Sequence, residues 1–349
     1  MSEAADAAPA VSLVVVNHQG AEQVVACLAS LLEAPGVPVE VFAVDNASDD
    51  GSLEAMRAFA ARHPEVEVVA SPTNLGYAGA LNLVLDRCAG RYVGLFNMDI
   101  VAEPGWLAPL VEHLDASPNV AAVNPMLLLD DGARVNATGL DLHVTGLAFN
   151  RGLGRPRDEM PGAPFDVEGA QGAAVVCRRE VLLRLGGLDE RGFLYHEDVR
   201  LSWALRSMGF AMACVPTSVV RHEYHLSMHA EKLYLLERNR WWLLATALGP
   251  ASLLRIAPLL ALTELMLLGY ALLRGPRFVA AKLRAMRDAL RGRAETREAR
   301  AAWQARSTVG ERALLRGLGR GYAWSQFATL AGERGAPRRP FEAPRPDAR

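Results

Sequence analysis

The run Val11-Ser12-Leu13-Val14-Val15-Val16, closed by Asn17-His18, decides the fold of this chain. It is continuous, apolar and rich in β-branched residues, the signature of a strand buried on both faces and so of a sheet covered by helices on both sides. Residues 39–44, 66–70 and 92–96 repeat it. Between them, residues 21–33, 52–62 and 79–89 place apolar side chains at three- and four-residue spacing, which predicts helices, with Ser48 or Asp49 offering the second an N-cap. Strand and helix alternating in this way predict right-handed βαβ units and a parallel sheet. From about residue 124 short alternating stretches with Gly and Pro, as in 134–142 and 173–177, predict a mixed or antiparallel extension of the sheet. Helical patterns return at 197–208 and from about 229 onward, and no internal repeat is visible.

Ligands of such sheets bind beyond the carboxyl ends of the strands. The residues there are Asn17-His18, Asp45-Asn46, Asn74 and Asn97-Met98-Asp99, polar at every end. The rest of the chain bounds the reading. Its 349 residues are 51% hydrophobic and 22% charged, which excludes a disordered chain, a collagen-like repeat and a disulfide-stapled miniprotein. The net charge of −2 conceals a split, because residues 274–349 hold 18 Lys and Arg against 7 Asp and Glu. That pattern argues against a nucleic-acid binder and for an acidic soluble module followed by a basic segment able to face anionic lipid. Cys27, Cys88, Cys177 and Cys214 lie far apart in apolar surroundings and read as reduced core thiols. Residues 1–10 are acidic, with no charged n-region followed by an apolar stretch, so no secretory leader is expected and the soluble part is expected in the cytoplasm.

Five segments in order then carry a resemblance: Val14-Val15-Val16-Asn17; Val44-Asp45-Asn46-Ala47-Ser48-Asp49-Asp50-Gly51-Ser52; Asn74-Leu75-Gly76-Tyr77-Ala78-Gly79-Ala80-Leu81-Asn82; Leu95-Phe96-Asn97-Met98-Asp99; and Gly186-Gly187-Leu188-Asp189-Glu190 with His196-Glu197-Asp198. Together they resemble family 2 glycosyltransferases, above all the branch of bacterial rhamnosyltransferase-like enzymes of cell-surface polysaccharide assembly. The resemblance implies a GT-A fold: an α/β, Rossmann-like, mixed but mostly parallel sheet flanked by helices, here with a C-terminal helical extension. It divides the chain into a flexible stretch 1–10, a catalytic domain 11–240, a membrane-associating helical extension 241–330 and a disordered basic tail 331–349.

A nucleotide-diphosphate sugar needs a carboxylate or amide for base and ribose, donors for the sugar hydroxyls and a cation for the diphosphate leaving group. By the resemblance Asp45 contacts the nucleoside and Asn17 lies in the loop lining the base, while Asn74, Gly76, Gly79 and Asn82 flank ribose and diphosphate. The alternatives are that Asp45 and Asp49 cap the following helix, and that Asn74-Leu75-Gly76 is a plain turn. Asn97-Met98-Asp99 stands where the family has Asp-x-Asp, with the first Asp replaced by Asn. Asp99 matches the ligand of Mn²⁺ or Mg²⁺, hard ions that take their remaining oxygens from water and phosphates. His222, five residues before Ser227, matches the segment that supplies an imidazole to the metal or diphosphate. Asp198 matches the base that deprotonates the acceptor hydroxyl in an inverting single displacement, with Glu197 orienting acceptor or loop. Both open a helical pattern, whose dipole favours their ionised form. Arg200 replaces a further family Asp, and Arg238 reads either as a diphosphate or lipid-phosphate partner or as a solvated helix face.

Residues 256–273 form the shortest stretch able to span a bilayer. Nine Leu and Ile contribute roughly −4.5 kcal/mol and Glu264 about +3, so insertion is near break-even. Arg274, Arg277, Lys282, Arg284, Arg287, Arg291 and Arg293 follow on a helical pattern, which points to monotopic attachment rather than a span. The expectation is an inverting enzyme moving a sugar, with rhamnose from dTDP-rhamnose as the branch's donor and UDP-sugars as the alternative. Its acceptor is a lipid-linked or polysaccharide chain at the inner face of the cytoplasmic membrane. A sugar nucleotidyltransferase and a non-catalytic glycan- or partner-binding member of the fold are the rivals.

Overall fold

The computed structural model describes residues 8–223 and 227–327. The chain separates into two compact units; within the described range, residues 8–142, 150–223 and 306–318 form one and residues 143–149, 227–305 and 319–327 the other. The helix that carries Arg238 groups with the second unit, whereas the catalytic domain was expected to run to residue 240. The tail 331–349 lies outside the described residues.

The first unit alternates β1 (Val11–Asn17), α1 (Val24–Leu32), β2 (Val39–Asp45), α2 (Ser52–Ala60), β3 (Val66–Ala70), α3 (Gly76–Leu85) and β4 (Tyr92–Asn97). It continues through β5 (Ile100–Ala102), α4 (Leu107–Ala116), β6 (Val120–Leu128), β7 (Val135–Ala137), β8 (Leu140–Leu142) and β9 (Ala148–Asn150). Then come β10 (Phe165–Val167), β11 (Ala174–Arg178), α5 (Arg179–Leu185), α6 (Glu197–Ser207) and β12 (Ala211–His222). The four expected strands appear in place, and β3, β2, β1 and β4 are parallel neighbours in that order. The expected antiparallel extension is β11, which pairs β4 and β6, together with β10 and β5 on β12, while β12 itself runs parallel to β6.

Both faces of the sheet are covered, which is why β1 reads as an unbroken apolar run. Val11, Leu13 and Val15 pack with Cys27, Leu28 and Leu31 of α1, Met56 of α2 and Leu110 of α4. Val14 and Val16 point the other way, to Leu81 and Val84 of α3, Leu182 of α5 and Leu205 of α6. All four cysteines are buried and free. The expected cap of α2 differs: Gly51 holds the N-cap position at φ 86°, and the Asp50 carboxylate accepts from the Ser52 N–H and hydroxyl at 3.1 and 2.6 Å. The connection β1 to β2 runs one way along the sheet, and β4 lies on the opposite side of β1. The reversal leaves a crevice at the carboxyl ends of β1 and β4, the usual ligand position in such sheets.

The second unit contains α7 (Ala230–Ala247), α8 (Pro250–Arg274), α9 (Pro276–Arg291) and α10 (Arg293–Arg306); α11 (Glu311–Arg316) returns to the first. Gly275 at φ 105° followed by Pro276 breaks α8 from α9. Between them lies a four-charge cluster in which Arg240 pairs Glu237 and Glu264, and Lys282 pairs the same two carboxylates. Burial would raise the Glu237 carboxyl, yet Arg240 and Lys282 outweigh it and hold it down at about 2. Glu264, in the middle of the apolar helix α8, thus answers to α7 and α9.

Candidate active site

The carboxyl end of β1 is tied to that of β2 by side chains. The Asn17 amide donates to the Asp45 carboxylate at 3.0 Å, to Ser48 Oγ at 3.2 Å and to Ser52 Oγ at 2.9 Å. The other Asp45 oxygen accepts from the Ser48 N–H at 3.1 Å. Asn17 and Asp45 are 0% and 1% exposed; the Asn17 amide nitrogen and the Asp45 carboxylate are hydrogen-bonded within residues 17–52, while Asn17 Oδ1 is buried with no partner among the described residues. Both residues, expected to contact the nucleoside, also brace the turn after β2. Outside them His18, Asn46 and Asn74, all at the strand ends marked by the sequence, form a network. His18 Nδ1 donates to the Asn46 carbonyl at 3.0 Å, and its Nε2 accepts from the Asn74 amide at 3.1 Å. Asn46 in turn donates to Asn74 Oδ1 at 3.0 Å and accepts from the Leu75 N–H at 2.8 Å. Asn46 is buried, whereas His18 and Asn74 are half-buried and are the members a nucleotide can reach.

The start of α3 is not open to an anion. The Leu75, Gly76 and Tyr77 N–H groups go to Asn46 Oδ1, Asn74 Oδ1 and the Phe193 carbonyl at 2.8, 2.9 and 2.9 Å. A Cβ on Gly76, whose φ is +72°, would stand 1.9 Å from that carbonyl oxygen. Gly79 serves close packing, since a Cβ there would come within 2.9 Å of Leu75 Cβ. The Asn82 amide clamps residues 188–190, donating to the Leu188 carbonyl and Glu190 at 2.9 and 2.8 Å and accepting from the Leu188 N–H at 3.0 Å. Gly76, Gly79 and Asn82, expected to flank ribose and diphosphate, dock the loop before α6 onto α3 in this structure.

Asn97 ends β4, half-buried, with its N–H donated to the Ala173 carbonyl at 3.0 Å. Asp99 follows in the turn before β5. Because β5 pairs antiparallel to β12, with Ile100 opposite His222, residues 123 positions apart in sequence meet, and His222 Nε2 lies 3.4 Å from Asp99 Oδ1. That Asp99 oxygen is buried and accepts no hydrogen bond from the described residues. An orphaned carboxylate oxygen beside an imidazole nitrogen fits a divalent cation of the Mn²⁺ or Mg²⁺ kind. Among the described residues no third His, Cys, Asp or Glu joins the pair to make a larger metal cluster, so such an ion would draw its remaining ligands from phosphate and water.

Glu197 and Asp198 open α6 as expected, behind a strained approach in which Phe193, Tyr195 and His196 adopt φ of 61°, 67° and 77°. Asp198 accepts from the Gly172 N–H at 3.2 Å and from the Val199 N–H at 2.8 Å. Gly172 directly precedes Ala173, whose carbonyl holds Asn97, so Asp198 stands at the same strand edge as Asp99. The expectation from the helix dipole is reversed. Burial raises the Asp198 carboxyl despite those two N–H groups, and burial together with the Asp198 charge pushes Glu197 up to about 8. Desolvation of a carboxylate outweighs the favourable end of one short helix. The Tyr77 hydroxyl lies 3.5 Å from the Gly172 carbonyl and is raised by burial and by both carboxylates.

Arg200 is buried and paired with Asp189, which Arg191 also binds at 2.6 Å. Its guanidinium therefore anchors the Gly186–Glu190 segment from within α6. Arg238 packs within α7, its guanidinium 4.5 Å from the Trp242 ring centre and 5.2 Å from that of Tyr234.

Residues 12–158 match the sequence family described as glycosyl transferase family 2. An N-acetylglucosaminyl-diphospho-decaprenol L-rhamnosyltransferase of Mycobacterium tuberculosis is 28% identical over 251 residues, which span 62% of this chain and 80% of that protein. A pre-mycofactocin glycosyltransferase of the same organism is 30% identical over 184 residues, 52% of this chain and 37% of the relative. Among solved structures, GalNAc-T7 with UDP, GalNAc and Mn²⁺ superposes with a TM-score of 0.54 at 16% identity, over 68% of this chain and 49% of that one. The mannosyltransferase PcManGT of Pyrobaculum calidifontis, with GDP-Man and Mn²⁺, gives 0.50 at 19% identity, over 89% and 79%. At these identities the two structures speak for the fold.

Proposed function

From a chain that belongs to glycosyl transferase family 2 through residues 12–158 and folds as GT-A enzymes do, we propose an inverting enzyme. It moves a sugar from a nucleotide-diphosphate donor to a lipid-linked or polysaccharide acceptor in cell-surface glycan synthesis. The observation that carries this reading is the convergence at one strand edge of a raised, doubly hydrogen-bonded carboxylate, Asp198, and an acceptor pair, Asp99 and His222.

Inversion is one displacement, in which the acceptor oxygen attacks the anomeric carbon as its proton leaves and the nucleoside diphosphate departs. Asp198 takes that proton. The Gly172 and Val199 N–H groups fix its orientation, and its raised carboxyl makes it a stronger base once ionised. Glu197, kept protonated near neutrality at about 8, adds no second negative charge beside it. Asp99 and His222 would hold Mn²⁺ or Mg²⁺, which when bound neutralises charge on the departing diphosphate. The nucleoside meets the half-buried His18 and Asn74, with Asn17, Asp45 and Asn46 stiffening the turns behind them. Rhamnose and a polyprenyl-linked acceptor are supported by the name of the mycobacterial relative, which acts on such a lipid. A location at the cytoplasmic membrane face follows from that acceptor and from the apolar helix α8.

The reading is tested with the purified chain, a panel of dTDP-, UDP- and GDP-sugars and a short lipid-linked acceptor. Asp198→Asn should lower transfer by ~10²–10⁴ while donor affinity by calorimetry stays within a few-fold. Near-wild-type transfer by the variant removes Asp198 as the base. Failure of the unmodified chain to bind any nucleotide sugar removes the enzyme reading and favours a non-catalytic member.

A further inference from the structure

Asn136 lies in the middle of β7, wholly buried between Val135 and Ala137, on a strand that pairs with β6. Its Oδ1 is 2.9 Å from His222 Nδ1. An amide oxygen can only accept, so the ring carries its proton on Nδ1, and in the neutral ring the lone pair then belongs to Nε2. That is the nitrogen 3.4 Å from the orphaned Asp99 oxygen. In the neutral Nδ1–H ring these are two acceptors facing each other, a contact relieved either by a second proton on the ring or by a cation lying against both. The other half of the Asn136 amide sharpens the point. Its Nδ2 is buried with no acceptor among the described residues, an unfavourable state for a donor. A purely structural asparagine would satisfy both ends. This one has its oxygen committed to the ring and its nitrogen unpaired.

We propose that Asn136 is a positioning residue that locks His222 in the Nδ1–H tautomer and so turns His222 Nε2 and Asp99 Oδ1 into a ready half-site for a divalent cation. The proposal rests on the cation part of the reading above. It assigns Asn136 the part that carboxylates and carbonyls play behind metal-binding histidines elsewhere, where their loss typically costs 10–100-fold in metal affinity.

Two measurements on the full chain test it. The tautomer of His222 is read in metal-free protein from two-bond ¹H–¹⁵N correlations at a pH above the ordinary histidine range, with His222→Gln supplying the assignment. Mn²⁺ affinity is read by electron paramagnetic resonance, with and without UDP. The expected result is an Nδ1–H ring in the unmodified protein and Mn²⁺ affinity lowered 10–100-fold by Asn136→Ala. Asn136→Asp, which keeps an acceptor oxygen at the same reach, should restore both the tautomer and most of the affinity. Mn²⁺ binding with an Nε2–H ring, or an alanine variant that binds as tightly as the parent, overturns the role of Asn136 and leaves the cation reading standing. An Nδ1–H ring in a protein that binds no Mn²⁺ even with UDP overturns the cation reading and this proposal with it. The tautomer measurement needs no change at Asn136, so a poorly folding alanine variant leaves the test intact.

Discussion

Glu197 shows at the level of one residue why position in a sequence does not settle chemistry. Its place in the first turn of a helix predicts an easily ionised carboxyl, but burial and the neighbouring Asp198 push it up to about 8. An acid whose folded-state value is raised favours the folded state while protonated. That stability is fully present below the unfolded value of 4.5 and is lost as pH rises through about 8. Glu197→Gln should therefore leave thermal stability at pH 5 nearly unchanged. At pH 9 it should raise the melting temperature by several degrees relative to the parent, as scanning calorimetry would show. A variant as sensitive to alkali as the parent would mean that Glu197 ionises freely. At the same scale the motifs singled out Asp99, His222 and Asp198, and the structure brings Asp99 and His222 to within 3.4 Å of each other. The burial of Asn17 and Asp45 was not legible in the motifs, since whether a polar strand end meets a ligand or its own turn depends on the neighbouring strand.

Between elements, the decisive contact is the one of α3 with the loop that launches α6. Gly76 at φ +72° lies under the Phe193 carbonyl, and Tyr77 donates to the same oxygen at 2.9 Å. Gly76→Ala must move the backbone of the strained 193–196 stretch, and we expect it to cost about 2–4 kcal/mol in chemical denaturation and to lower transfer by displacing Asp198. Gly105→Ala is the control: its φ is +78° but nothing lies within 4 Å of the added carbon, so it should cost only about 1–2 kcal/mol of left-handed strain and leave transfer intact. Equal effects of the two would mean that backbone conformation, and not the approach to Phe193, requires glycine at residue 76. By resemblance the sequence offered Gly76 as flanking ribose and diphosphate, because a loop entering a helix looks the same whether an anion or a carbonyl occupies its N-terminus.

On the scale of the whole molecule, the question is what the second unit meets. α8 buries Ile256, Leu260, Thr263 and Leu267 along one side and exposes Leu254, Leu262, Leu265, Leu268 and Leu272 along the other. The exposed stripe runs about 27 Å. Helix α8 is long and apolar enough to cross a membrane by length and composition. Its mid-helix Glu264, however, is held in the four-charge cluster, and separating those charges would be costly. The basic cluster is also smaller than its sequence suggests: Lys282 is buried, Arg284 pairs with Glu231 and Arg287 with Asp288. Interfacial attachment should thus rest mainly on the apolar stripe. We expect the chain to float with liposomes containing anionic lipid, and 1 M salt to release only a minor fraction. Leu262→Ser, Leu265→Ser and Leu272→Ser combined should abolish flotation without changing transfer to a soluble acceptor. No flotation by the parent would make the stripe a surface for another partner, and full resistance of the parent to alkaline carbonate would make α8 a span.

The sequence by itself determined the succession of strands and helices, the parallel direction of the first four strands, the two-sided burial of the sheet and the residue types at its carboxyl edge. Those follow from local periodicity and from chemistry that admits few side chains. Only the tertiary structure decided which polar ends stay partly exposed and which are buried against one another. It alone brought β5 against β12 so that Asp99 meets His222, and it placed Asn136 behind that ring. It also drew Glu264 and Lys282 out of the lipid-facing pattern. Each of these depends on a partner far along the chain, and burial by such a partner sets the cost of a charge more strongly than any neighbour in sequence.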